Sequence, residues 1–537
     1  MKRLAKFFSI LFLLNACARS TNQVENTSDT SKIAAAFSGR WVGEISSTSY
    51  PDFMSVEYDS LPKFSIYYRG LLNSPILDFN QKNHVVTFKG NSEEAEELFF
   101  SGELKNNLFL YGIMKEKNKN HAFSLVKVTS NSVLEVNNFI GFYELDSGYF
   151  IKLTPFLLDA SLTGVRLLDF TTCKQRVAFP IAPRNYRAGT RMLNVGGPRE
   201  EIGFVVTSDS TLTFRISGLI KYGKRLPDLK EQPIRAKNKN ITLAGSLTLP
   251  SKKNQKFPLV VYIPGSGEAF RGNVPDEYIQ VLPYLGIATL VYDKRGCGES
   301  SGDFRSSTFY DLADDAIAII KEASKNSKID NTKIGLLTVG LGGYVLPLVV
   351  SKIPSIRFSV AISPPVIPMK EQELIACEKR MKADGFLYPD IQQALEYQES
   401  MFSYLEGKKD SLSFQQLSDI AISKPWKGYV TLFGNKEYIH FWRLNKDFNP
   451  ESAWRKYQIP LLALFGKNDV LLNVSKNVQM LQEYLSENPK KEIKVLEKAN
   501  HLLLLGAHRG DVQLTEIEGY APETFKTIAE WAVIHTQ

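Results

Sequence analysis

The sequence predicts two small all-β units followed by an α/β domain, a parallel sheet with an inserted helical cap. Three observations carry this. Up to about residue 220, apolar residues recur at period two in short runs separated by turn residues. After about Tyr222, continuous apolar runs alternate with helical stretches, the pattern of strands covered on both faces. The series then breaks between Ile362 and Leu461, a gap too long for one crossover. A length of 537 residues, 43% hydrophobic and 23% charged, can fill several cores. It excludes a disordered, collagen-like or small disulfide-framework chain. A net charge of +8 without a basic run points to no nucleic-acid partner.

Lys2, Arg3 and Lys6 precede the apolar run Phe7 to Leu14, which is far shorter than the roughly 20 residues that span a bilayer. The segment ends Leu14-Asn15-Ala16-Cys17 and resembles the lipobox of bacterial lipoproteins. The resemblance implies that residues 1–16 are removed as a signal. It also implies that Cys17 is lipidated, anchoring an exported protein to a bacterial membrane without spanning it. Asn15 departs from the small residue usual at that place. Residues 17–36, rich in Ser, Thr and Asn, read as a flexible tether. The other cysteines (Cys173, Cys297, Cys377) fit no zinc spacing and read as buried thiols.

The first β unit, 37–130, shows alternation in Arg40 to Ile45, Lys63 to Tyr68 and Leu98 to Gly102, and is expected to be a barrel or sandwich. The second, 131–220, includes Gly141 to Ile151, a hairpin around Asp146-Ser147-Gly148, and Thr211 to Ile216. The α/β domain, 221–537, opens with Ile241 to Leu249, read as a hairpin-like strand pair. Strands follow at Leu259 to Ile263, Ile287 to Tyr292, Lys333 to Leu337, Phe358 to Ile362, Leu461 to Phe465 and Glu492 to Leu496. Residues of about 370–456, rich in helix formers and aromatics, are the cap.

Four segments within about 235–537 resemble the α/β-hydrolase family, in its exported esterase and serine-aminopeptidase-like branch. Ile263-Pro264-Gly265-Ser266-Gly267 stands at the oxyanion loop. The stretch Asp293-Lys294-Arg295-Gly296-Cys297-Gly298-Glu299-Ser300 is similar to the family's D-x-R-G-x-G-x-S. Asp469 and His501 stand at the places of the triad acid and base, 32 residues apart and each just after a strand. The nucleophile slot reads Thr338-Val339-Gly340-Leu341-Gly342-Gly343, so the position of the family's serine holds Gly340. Glycine has no side-chain oxygen and forms no acyl-enzyme, yet it enters a strained backbone region without steric cost.

The resemblance thus implies an acid–base pair without its third member, with oxyanion donors at the N–H groups of Ser266 and Leu341. Thr338, at a strand end, is expected to point away from the site, and Ser300 and Ser301 to stabilise loops. No metal cluster, nucleotide loop or cofactor motif is present. Three functions follow. The first is a membrane-anchored, catalytically impaired homologue binding a small acyl or peptide ligand beneath its cap, or a partner. The second is an active hydrolase of carboxylic esters or amides in which His501, oriented by Asp469, activates water or an unrecognised nucleophile. The third is an assembly protein that binds through its β units.

Overall fold

The computed structural model describes residues 37–537, apart from 47–50, 59–62, 67–71, 92–96, 147, 160–161, 198–199, 253–254 and 507–515. The expected signal, Cys17 and the tether lie outside the described residues. Two compact units form: residues 37–228 with 516–520, and residues 229–506 with 521–537.

In the first unit, nine antiparallel strands from Gly39–Ser46 to Lys119–Val128 make one sheet. Its two outermost strands, Leu72–Pro75 and Leu77–Lys82, are consecutive in the chain with only Ile76 between them. Consecutive Cα atoms are about 3.8 Å apart, so the sheet must roll until its edges meet. Trp41, Met54, Phe88, Phe100 and Leu125 fill the interior. The next eight strands, Gly141–Glu144 to Leu219–Arg225, form a closed barrel with Tyr143, Ile151, Val165, Phe204 and Phe214 inside. The boundary expected at 220 therefore falls within a strand.

The two expected β units pack together as one body. Phe53 stacks on Phe179 at 5.9 Å, Arg191 pairs with Glu44 at 3.0 Å, and the Arg187 guanidinium covers the Phe109 ring. Residues 516–520 belong to this body too. Ile517 accepts from the Met192 N–H at 3.0 Å, and the Tyr520 N–H donates to the Cys173 carbonyl at 2.7 Å.

The second unit is an eight-stranded sheet: β1 (Glu231–Asn238), β2 (Ile241–Thr248), β3 (Phe257–Ile263), β4 (Ala288–Tyr292), β5 (Ile329–Val339), β6 (Ile356–Ile362), β7 (Leu461–Gly466) and β8 (Lys491–Leu496). The order is β1-β2-β4-β3-β5-β6-β7-β8, antiparallel at β1, β2 and β4, and parallel thereafter. Residues 241–249 are not a strand pair. Ile241–Thr248 is one strand, and its hairpin partner precedes it across a turn at Lys239, whose φ is +53°.

Helix α1 (Phe309–Ala323) opens with a Thr308/Asp311 capping box, α2 (Gly342–Val350) follows β5, and α9 (Thr524–Thr536) closes the chain. Both residues of the box satisfy first-turn donors. The cap comprises α3 (Met369–Ala383), α4 (Tyr388–Leu405), α5 (Ser411–Ala421), α6 (Lys436–Asn445) and α7 (Glu451–Arg455), all between β6 and β7. Helix α8 (Val474–Tyr484) then joins β7 to β8. Trp426, Trp442, Phe402 and Phe414 of the cap join one core with the sheet residues Leu259, Val261 and Phe465. No helix among the described residues is long and apolar enough to cross a membrane.

Candidate active site

Parallel strands end together, so the loops at their C-terminal edge converge, and this is where α/β sheets place their sites. The turn from β5 to α2 holds Gly340 at φ +57°. Its N–H donates to the Ile362 carbonyl on β6 at 2.9 Å. The left-handed conformation suits glycine and strains other residues.

Asp469 follows β7 and is fully buried. Its Oδ1 accepts from the N–H groups of Leu471 (2.7 Å) and Leu472 (3.1 Å), and its Oδ2 faces His501 Nδ1 at 2.7 Å. That bond leaves the other ring nitrogen, Nε2, as the working end. Nε2 lies 2.8 Å from where a Cβ on Gly340 would stand. The structure thus brings Gly340, Asp469 and His501 together. The His501 side chain is 17% exposed.

His501 is set by its own turn. Asn500 Oδ1 accepts from the N–H groups of Leu502 and Leu504, each at 2.9 Å, and Tyr278 donates to the Leu502 carbonyl at 2.6 Å. The cap pins the acid: Lys379 of α3 donates to the carbonyls of Asp469 and Leu472, and Gln372 to that of Leu471. Burial pushes the Lys379 ammonium down. Neither residue stands out in the sequence, because each reads as an ordinary helical surface position.

The loop expected to supply the oxyanion donors leaves β3 beside this turn. Ile263 pairs with Thr338 in the parallel register, and a Cβ on Gly265 would stand 2.4 Å from the Val339 carbonyl, so only glycine allows the approach. Ser266 is exposed. Leu341 is the N-cap residue of α2, which has no side-chain cap at its N-terminus. Uncapped first-turn N–H groups favour an oxyanion or other anion.

The alternative hydroxyls are otherwise engaged. Thr338 is buried and donates to the Ile263 carbonyl at 3.0 Å, beneath the turn. Ser300 donates to the Asp293 carbonyl at 2.7 Å and accepts from Ala244 N–H at 2.9 Å, and Ser301 accepts from Thr242 N–H at 2.8 Å. Asp293 itself shapes its loop, taking Arg271 Nη2 at 2.9 Å and the Glu299 N–H at 2.9 Å. Cys173, Cys297 and Cys377 are buried. Among the described residues, no group of three or more His, Cys, Asp or Glu side chains could hold a metal ion.

Residues 260–512 match the model of the alpha/beta hydrolase family. Two curated relatives, each an uncharacterized 31.7 kDa protein in the traX-finO intergenic region of Escherichia coli, are 33% identical over 90 residues. The match covers 17% of this chain, and the chain spans about a third (31%) of those relatives' length. Similar solved structures include an esterase of Pyrococcus furiosus (19% identity, TM-score 0.36, covering 51% of this chain and 84% of that one). Est1E from Butyrivibrio proteoclasticus is another (16%, 0.35, 56% and 98%). A third is the alpha/beta hydrolase GrgF from a Penicillium species (18%, 0.38, 58% and 99%). Sheet order and family model agree: the C-terminal unit has the α/β-hydrolase fold.

Proposed function

We propose that this chain is a membrane-anchored α/β-hydrolase-fold lipoprotein whose serine-hydrolase chemistry is impaired, and that it acts by binding a ligand or partner. One observation carries the reading. At the turn where the fold family places its nucleophile stands Gly340, with His501 Nε2 2.8 Å from its would-be Cβ. The base has closed on a position that offers no oxygen, and a covalent acyl step needs one. The ligand class that suits the oxyanion donors is a small acyl or peptide carbonyl compound held beneath the cap.

The purified chain is expected to hydrolyse short acyl esters and aminoacyl amides no faster than its His501→Ala variant, as read by initial rates. Turnover at an ordinary enzymatic rate that disappears in the variant would sink the reading. The runner-up is direct activation of water by His501, favoured by the intact 2.7 Å contact between His501 and Asp469. Its signature is slow hydrolysis, lost in His501→Ala, with no covalent adduct from a serine-directed phosphonate.

Anchoring rests on the Leu14-Asn15-Ala16-Cys17 segment. Two acyl chains hold a protein stably on a bilayer where one does so marginally. Expressed in a bacterium, Cys17→Ser is expected to move the protein from the detergent phase to the aqueous phase on phase partitioning. Retention in the detergent phase would show that lipid at Cys17 is not the anchor.

A further inference from the structure

Lys294 lies in the loop after β4, and its side chain is buried at the back of the oxyanion loop. Its Nζ donates to the carbonyls of Gly265 and Gly267 and stands 4.6 Å over the Phe304 ring. A buried ammonium persists only where strong acceptors replace water. Here those acceptors are two main-chain carbonyls and an aromatic face, with no carboxylate among the described residues. The titratable groups that act on it are the Cys297 thiol, which burial pushes up and so keeps neutral, and the Arg305 guanidinium, which pairs with Glu268 at 2.7 Å.

We infer that Lys294 is a positioning residue that sets the direction of the oxyanion loop. A peptide unit is planar and trans, so its C=O and N–H point in opposite directions. With the Gly265 carbonyl drawn onto Lys294, the N–H of the same plane, that of Ser266, is turned away from the buried ammonium, to the side on which Ser266 lies exposed. The Gly267 carbonyl does the same for the Glu268 N–H. Donors aimed before a ligand arrives cost no reorganisation when it binds. The inference rests on reading 264–267 as the oxyanion loop, and it needs neither a nucleophile at 340 nor turnover.

The test uses the whole chain made by cell-free synthesis with glycine labelled by 13C at the carbonyl and serine by 15N. Gly-Ser occurs at two places in the sequence, 245–246 and 265–266, so the carbonyl–nitrogen spectrum holds two cross-peaks, and the first is an internal reference on β2. Burial lowers the Lys294 ammonium to about 8. The Gly265–Ser266 cross-peak is therefore expected to shift in both dimensions from neutral to strongly basic pH with a midpoint of about 8, while Gly245–Ser246 holds still.

In Lys294→Met the Gly265–Ser266 peak is expected to be displaced already at neutral pH and to lose this titration. A wild-type peak that stays fixed across the range, or the same titration persisting in Lys294→Met, would overturn the inference. The wild-type titration decides the matter alone if the variant does not fold. Because no rate is measured, hydrolysis by the wild-type chain would end the impaired-enzyme reading without touching this one.

Discussion

Gly340→Ser is expected to fold, to acquire a covalent adduct with a fluorophosphonate, and to hydrolyse short acyl esters about 10²-fold more slowly than an ordinary esterase. The backbone at φ +57° is already in the region that the turn requires, at a strain of roughly 1–2 kcal/mol for a residue with a Cβ. The acid and base stand 2.7 Å apart. What is missing is room, since the new Cβ would lie 2.8 Å from His501 Nε2, closer than two such atoms approach. The imidazole must withdraw before Oγ can meet it at a hydrogen-bonding distance of about 2.6–3.2 Å.

That withdrawal is resisted by Asp469 behind the ring and by the Asn500 turn beneath it. A misplacement of about 1 Å at a reacting centre can cost about 10²-fold in rate. Thr338 adds to the resistance. Its Oγ1 occupies space 1.7 Å from where a Cβ on Gly342 would be, so strand and helix are wedged beneath the turn as well. Initial rates and the mass of the adduct decide the matter. Rates near 10 s⁻¹, ordinary for enzymes, would show that His501 is free to retreat. A serine that stays unlabelled would show that His501 does not activate it. Gly340→Ala, which meets the same crowding without gaining an oxygen, separates strain from chemistry.

The parallel sheet was legible because β3, β7 and the second half of β5, from Ile334, are largely apolar runs, the pattern of strands covered on both faces. Asp469 and His501 were legible because each follows a strand end in the order the fold requires. What stayed hidden depends on distant partners. Ile241–Thr248 alternates around Gly245 and looks like a hairpin, and only pairing with β1 on one side and β4 on the other shows a single strand. Nothing local marks the nine-stranded sheet as rolled or returns 516–520 to the β-rich body, since those bonds join residues hundreds of positions apart.

Lys294 reads as a loop lysine, and lysines are almost never buried without a partner. Its acceptors are carbonyls 27 and 29 positions earlier, invisible to any local pattern. Lys379 is hidden in the same way, its acceptors lying 90 and 93 positions further on. In both cases the catalytic-looking residues were readable and the residues that aim them were not. Side chains that do chemistry are restricted in type and order, whereas a carbonyl can be held by any donor the fold delivers.

Asp315→Ala is expected to lower the stability of the hydrolase domain by about 3–5 kcal/mol, the usual result of removing one partner of a buried ion pair. Asp315 lies on α1 and takes Arg295 bidentately, with Nε at 2.5 Å and Nη2 at 2.8 Å, and the two side chains are 2% and 9% exposed. Asn238, at the end of β1, adds a third bond at 2.8 Å. Without the carboxylate, the guanidinium keeps only the Asp311 carbonyl at 3.0 Å. Urea unfolding followed by tryptophan fluorescence reports mainly this domain, which holds four of the five tryptophans (Trp426, Trp442, Trp454, Trp531).

The double variant Arg295→Met/Asp315→Leu removes both charges and is expected to be more stable than Asp315→Ala alone, because the cost lies in the stranded charge rather than in the missing attraction. Equal losses in the two would assign the effect to packing. The same pair bears on the site, for Arg295 is the residue next to Lys294. A guanidinium that leaves the interior for water carries its neighbour's backbone with it. Asp315→Ala should therefore also displace the Gly265–Ser266 resonance, while a cavity mutation elsewhere in the core, such as Leu481→Ala, lowers stability and leaves that resonance in place.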